Sequence, residues 1–250
     1  MKRFTDQAYL KDEQYRDDSN LRSRIELHRR FDTNPEPWHR WVFDRLHFPE
    51  RAQILEVGCG PAELWVQNSD RIPPGWRLTL ADLSPGMVEE ARRVLYERAV
   101  YRVADIQDLP FKDASFDGVI ANHMLYHVQD RPRAFSEVAR VMRPDATFYC
   151  STNGSEHLKE IKALYSDDEP WSWGFRLEDA GDELRNVFSD VQVELHPGGL
   201  EVTDVEPVVA FVKSLSDGKK GFEEIVREQI ERDGAFRVTK VGGLFACRKH

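Results

Sequence analysis

The chain has 250 residues, 40% of them hydrophobic and 32% charged, with a formal net charge of −9. That length and apolar content are enough for one α/β core with additions, and the negative balance gives no general attraction to phosphate backbones or anionic lipid, so neither nucleic acid nor membrane is an expected partner. Cys59, Cys150 and Cys247 lie far apart without metal-ligand or disulfide-framework spacing, so no metal is expected and a reducing, cytoplasmic setting is.

The start MKRFTDQAYLKDEQYRDD is charged throughout and reads neither as a signal peptide nor as a bilayer span. Ser19 is placed to cap a helix to about Phe31, with Leu21, Ile25 and His28 on one face and Arg22, Arg29 and Arg30 elsewhere. A turn at Asn34-Pro35-Glu36-Pro37 precedes a second helix that carries Trp38, Trp41, Val42 and Leu46 at helical spacing. Residues 1–50 are thus expected to form a helical extension ahead of a domain over 51–250.

Strand and helix patterns then alternate: strands at 53–57, 77–82, 100–104, 117–122 and 146–152, and helices from 62, from Ser84 to about Glu97, and over 131–142. Such alternation predicts a parallel sheet with crossover helices. Ser84 can cap its helix, Pro85 fits the first helical position, and Met87, Ala91, Val94 and Leu95 make the buried stripe. Beyond lie a loop with Trp171 and Trp173, a helix at 177–188, a strand at 190–195, helices at 204–215 and 221–232, and a terminal strand over 236–248 interrupted at Gly242-Gly243.

The densest signal is ILEVGCGPAEL at 54–64, an apolar strand that ends beside an acid and enters a glycine turn. Such a turn brings backbone close to a ligand beyond a strand's C-terminal end. A dinucleotide fingerprint wants a third glycine where Glu63 stands, and a carboxylate there repels a diphosphate. Glu56 suits a ligand with a cationic amine instead.

Together with LTLADLSPGMVEEAR at 78–92, VADIQDLPFKDASFDGVIANHMLYHV at 103–128 and AFSEVARVMRPDATFYCST at 134–152, this block resembles the class I S-adenosylmethionine-dependent methyltransferases acting on small molecules. The resemblance implies an α/β, Rossmann-like, seven-stranded, mostly parallel sheet with flanking helices and an antiparallel last strand. It implies a cofactor half over 51–153, a substrate side drawn from 1–50 and from 154–250, which also holds the terminal strands, and S-adenosyl-L-methionine as cofactor, released as S-adenosyl-L-homocysteine.

By the same resemblance the turn Gly58-Cys59-Gly60 seats the methionine part, Glu56 meets its ammonium, and Asp82 takes the ribose hydroxyls. Leu83 and Met87 pack on adenine, Asp105 and Ile106 meet its edge, and Asn122 and His123 face the methionine end. Ala62 replaces the family's third glycine, a departure expected to narrow the pocket.

His123, Tyr126 and His127 cluster after the fourth strand and are the candidate catalytic residues, a histidine acting as general base and Tyr126 orienting it. The expected activity is methyl transfer (EC 2.1.1.-) to a small organic acceptor by in-line displacement, which needs mainly positioning. Two other readings stand beside it: a non-catalytic S-adenosylmethionine-binding regulatory protein, and an NAD-dependent oxidoreductase, which Glu63 and the later blocks disfavour. The sequence assigns no oligomeric state.

Overall fold

The structure, a computed structural model, describes residues 5–16, 19–167 and 174–249. The loop bearing Trp171 and Trp173 and the side chain of Ser19 lie outside the described residues. In chain order come α1 (Gln7–Tyr9), continued by a π-turn over Leu10–Gln14, then α2 (Ser19–Phe31), α3 (Trp38–Asp44), β1 (Ala52–Val57), α4 (Glu63–Val66), β2 (Trp76–Asp82), α5 (Pro85–Leu95), β3 (Ala99–Val103), β4 (Phe116–Ala121), α6 (Arg131–Val141) and β5 (Met142–Asn153). The second half gives α7 (Lys159–Lys162), α8 (Leu177–Arg185), β6 (Phe188–His196), β7 (Gly199–Val202), α9 (Val205–Lys213), α10 (Phe222–Asp233), β8 (Phe236–Thr239) and β9 (Gly242–Lys249).

The seven-stranded sheet runs β3-β2-β1-β4-β5-β9-β6. β1 to β5 pair in parallel, while β9 is antiparallel to both its neighbours. Strand order reverses between β1 and β4, and such a switch point opens a crevice beyond the strands' C-terminal ends. α5 follows its sequence signals: Ser84 Oγ accepts from Met87 N at 3.3 Å, and Met87, Val88, Ala91 and Leu95 are buried, with Val88 rather than Val94 in the stripe.

Alternation along the strands splits the core between the two sheet faces. Leu55, Val57, Phe148 and Cys150 belong to one apolar cluster with α6 and α8, whereas Ile54 and Tyr149 join Trp41, Val42, Leu64 and Trp65 in the other. A third cluster lies off the sheet and joins Leu27 and Phe31 of α2 to Ile161, Leu200, Phe211, Val226 and Phe236. α2 therefore packs with the second half of the chain, and α3 packs on the sheet.

The terminal run is two strands rather than one interrupted strand. β8 pairs antiparallel with β7, which the sequence did not announce, and the break falls at Lys240-Val241, ahead of the glycines. There Lys240 bonds Asp32, and Val241 N donates to His157 Nδ1 at 3.1 Å. Gly243 is instead a place of close approach inside β9, since a Cβ there would lie 2.9 Å from Glu194 O. The helix after the glycine turn is a single turn, α4.

Ala62 does not narrow the pocket: it is fully buried at the N-cap of α4, with φ 65° and ψ 31° in the left-handed region. That conformation costs a non-glycine residue roughly 1–2 kcal/mol. Glycine would remove that cost but lose about 0.8 kcal/mol for the buried methyl and about 0.5–1 kcal/mol in chain entropy. The terms nearly cancel, so Ala62→Gly should change stability in urea unfolding by less than about 1 kcal/mol. Ala62→Val, β-branched at positive φ in a filled site, should cost more than about 2 kcal/mol.

Candidate active site

Beyond Val57 the chain turns through Gly58 (φ 69°) and Gly60 (φ 53°). A Cβ on Gly58 would stand 2.6 Å from Met124 Cγ, so the bare turn lets the loop after β4 close onto it. Gly60 N donates to Asp82 Oδ2 at 2.9 Å and Ser84 N to Oδ1 at 2.9 Å. Burial pushes the Asp82 carboxyl up, opposed by amide hydrogen bonds from Ser84, Gly60 and Leu83.

Glu56, 2% exposed at the end of β1, accepts from Trp65 Nε1 at 2.6 Å on Oε2. Burial pushes its carboxyl up to about 8; the Trp65 hydrogen bond opposes this and the Asp82 charge adds to it. It therefore holds a proton at neutral pH unless a cation is brought beside it.

Past β3, Asp105 Oδ1 accepts from Gln107 N at 2.9 Å, and Oδ2 accepts from Gln7 Nε2 at 2.6 Å. The N-terminal segment crosses this side of the cavity. Ser84 Oγ donates to Tyr15 O at 2.7 Å, Tyr15 Oη meets His127 Nε2 at 2.9 Å, and a Cβ on Gly86 would lie 2.0 Å from Arg16 O. Leu83, Met87, Ala104 and Ile106 give this end its apolar lining.

On the far side of the turn, Asn122 Oδ1 accepts from Trp38 Nε1 at 3.2 Å and from Ser151 Oγ at 2.6 Å, and Ser151 Oγ accepts from His123 N at 2.9 Å. His123 has φ 52°, and its ring lies 4.6 Å from that of Trp38. Such a backbone is uncommon outside glycine and is stored where a site needs it.

Further out, His28 and His157 stack at 6.2 Å with 14° between planes, and the edge of His196 meets Trp38 and Trp41. Burial drives these imidazoles neutral: His28 and His39 are lowered to about 4, His123 to about 3, and His157 and His196 also downward. Lys240, its side chain 8% exposed, is neutralised by Asp32.

These groups share one cavity of about 880 Å³. Every residue singled out in the sequence lines it: Glu56, Gly58, Cys59, Gly60, Asp82, Leu83, Met87, Asp105, Ile106, Asn122, His123, Tyr126 and His127. Sequence reasoning missed Gln7, Tyr15, Asp32, His39, His157, His196 and Lys240, which also line it, and it took Trp38 for core alone. The basic stretch of α2 gave a local signal for His28, and Arg24 and Arg29 of that stretch line the cavity with it; Arg29 also bonds Glu26, and Arg30 bonds Asp204. Among the described residues no group of His, Cys, Asp or Glu could hold a metal ion, and no helix is long and apolar enough to cross a membrane.

Residues 55–150 match the family model described as a methyltransferase domain. The chain is 31% identical over 216 residues to a malonyl-[acyl-carrier protein] O-methyltransferase of Geobacter sulfurreducens, covering 74% of this chain and 78% of that one. It is 40% identical over 202 residues to an O-methyltransferase of Aspergillus sclerotiorum, covering 73% and 71%. Some other curated relatives are matched over only about half of their own length. A solved phosphoethanolamine N-methyltransferase 2 of Haemonchus contortus, in complex with S-adenosyl-L-methionine, shares the fold with a TM-score of 0.62 at 18% identity, over 98% of this chain and 60% of that one.

The buried titratable groups act on stability in opposite directions. The histidines hold folded-state values below their ordinary 6.5, so their contribution is full above that pH and is lost as pH falls toward about 4. Glu56 holds a raised value near 8, so its contribution is full below about 4.5 and is lost as pH rises through 8. Scanning calorimetry from pH 4 to 8 should show His28→Gln flattening the acid limb and Glu56→Gln flattening the alkaline one. An unchanged profile in either variant would contradict that assignment.

Proposed function

We propose that this chain, which belongs to the class I S-adenosylmethionine-dependent methyltransferases, moves the methyl group of S-adenosylmethionine onto a small organic acceptor held in the histidine-walled side of its cavity. The supporting observation is the arrangement of Glu56, Asp82 and Asp105 at the ends of adjacent strands around a bare glycine turn, all lining one cavity. That donor and acceptor set fits an amino acid, a ribose diol and an adenine in series.

Glu56 would take the ammonium, Asp82 the ribose hydroxyls, and Asp105 with the Ile106 amide the adenine edge, while Leu83 and Met87 pack on the base and Gly58 to Gly60 leave room for the methionine chain. When bound, the cofactor supplies a methyl group already activated on a sulfonium, so the protein mainly aligns the acceptor and receives its proton. Glu63 lines the same turn and opposes a diphosphate, which weighs against a dinucleotide.

Of the candidate bases, burial pushes the Tyr126 phenol up and keeps it protonated, and Tyr15 engages His127 Nε2. His123 is a neutral imidazole beside the methionine end. Its low proton affinity suits a proton that leaves as the methyl arrives, when the alkylated acceptor is strongly acidic. Both curated relatives described above are O-methyltransferases, one of them named for a malonyl-[acyl-carrier protein].

Asp82→Ala should weaken S-adenosylhomocysteine binding by about 1.5–3 kcal/mol, the worth of hydrogen bonds to a charged group, read by titration calorimetry. Unchanged affinity would remove the ribose role from Asp82.

A further inference from the structure

The Asn122 side chain has only one way to sit. An indole N–H can donate and never accept, so the amide atom facing Trp38 Nε1 at 3.2 Å must be the oxygen. Ser151 Oγ spends its proton on that same oxygen at 2.6 Å while accepting from His123 N at 2.9 Å. The Asn122 oxygen is therefore committed. Among the described residues its Nδ2 makes no hydrogen bond, and Asn122 lines the cavity next to His123. The site thus offers an acceptor a fixed donor, the amide N–H, beside a neutral imidazole that can take a proton.

That pair discriminates between nucleophiles. A hydroxyl oxygen has two lone pairs, so one can face the methyl group while the other accepts from Asn122 and the O–H points to His123. An amine nitrogen has one lone pair; once that faces the methyl group, the nitrogen can only donate, and Asn122 would meet it donor to donor.

The ammonium of Lys240 is neutralised by Asp32 and the imidazoles around it are uncharged, while Lys11, Arg24 and Arg29 line the same cavity, so the acceptors are sorted by the pair at Asn122 and by shape. The His28–His157 stack, with Leu158 and Phe211, gives flat and apolar walls.

We infer that Asn122 is a specificity-determining residue, locked by Trp38 and Ser151, and that the acceptor is a planar hydroxy compound of the phenol or enol class, methylated on oxygen. This rests on the methyl-transfer reading of the cavity. The acceptor oxygen forms the new C–O bond as the donor's C–S bond breaks; that bond's electron pair stays on sulfur as a neutral thioether, and the hydroxyl proton passes to the His123 imidazole and on to water.

The test uses matched probes, 2-naphthol and 2-naphthylamine. Each is offered with radiolabelled S-adenosylmethionine, and kcat/KM for label transfer is compared. Wild-type protein should favour the naphthol over the amine at least about tenfold. Asn122→Leu, which keeps the volume and deletes the donor, should bring naphthol and naphthylamine within about threefold. Trp38→Phe, which unlocks the amide, should do the same in a protein with its ring still in place.

Failure of the naphthol to accept label, a preference for the amine, or discrimination that persists in both variants would overturn the inference. S-adenosylhomocysteine affinity, measured on each protein, separates the two levels. Its absence in wild type sinks the methyl-transfer reading itself, whereas its presence without hydroxyl preference sinks only the choice of acceptor.

Discussion

The hydrogen bond from Gly60 N to Asp82 Oδ2 holds the site together, because it ties the turn after β1 to the end of β2. Burial pushes both the Asp82 and the Glu56 carboxyl up, and the Asp82 charge raises Glu56 further, so the fold carries two desolvated carboxyls side by side. Burying such groups is expensive unless donors or a proton compensate. Backbone amides do this for Asp82; Trp65 and a retained proton do it for Glu56. A ligand bringing an ammonium and a diol meets acceptors whose desolvation was borne at folding, so its own hydrogen bonds translate into affinity with little reorganisation.

The same logic reaches the adenine end with a different partner in place. Gln7 Nε2 donates to Oδ2 of Asp105, the carboxylate to which the family resemblance gives an exocyclic amine. The contacts of Tyr15 with Ser84 and His127 lay the rest of the N-terminal segment along that side. An amide and an aromatic amine are alike as donors, so on the proposed reading adenine would exchange one N–H···O bond for another there and gain chiefly from packing on Leu83 and Met87.

How much of this could be read in the sequence depended on whether the signal was local. The strand-turn junction at Glu56 to Gly60, the cap at Ser84 and the acids ending β2 and following β3 are encoded within a few residues, and the structure brings all of them to one cavity. Gly58 was legible as a needed glycine, but its reason, the approach of Met124, required the tertiary structure. β7 was missed because GLEV is a short strand whose partner strand, β8, lies far along the chain. Lys240 and Asp32 pair across 208 positions, and no spacing rule announces such a contact. Ala62 was visible as an oddity; only its positive φ shows that the cost falls on the backbone and not on the pocket.

That division has a consequence for the chemistry. The family match over residues 55–150 spans the strands that carry the glycine turn and the buried carboxyls. The cavity walls proposed for the acceptor come from α2 and α3, through His28, Trp38 and His39, and from the segment after β5, through His157, His196, Phe211 and Lys240. Two chain regions far apart in sequence build them, and the off-sheet apolar cluster, with Leu27 and Phe31 set against Leu200 and Phe211, holds those regions together. Changes there can reshape the chamber without touching the glycine turn or the carboxyls, so acceptor choice is free to diverge while the donor stays constant. Asn122 and His123 sit at the join: their backbone lies in the matched region, and Trp38, outside it, holds the Asn122 oxygen. On the proposed reading, acceptor preference would then depend on one indole hydrogen bond from outside the matched region.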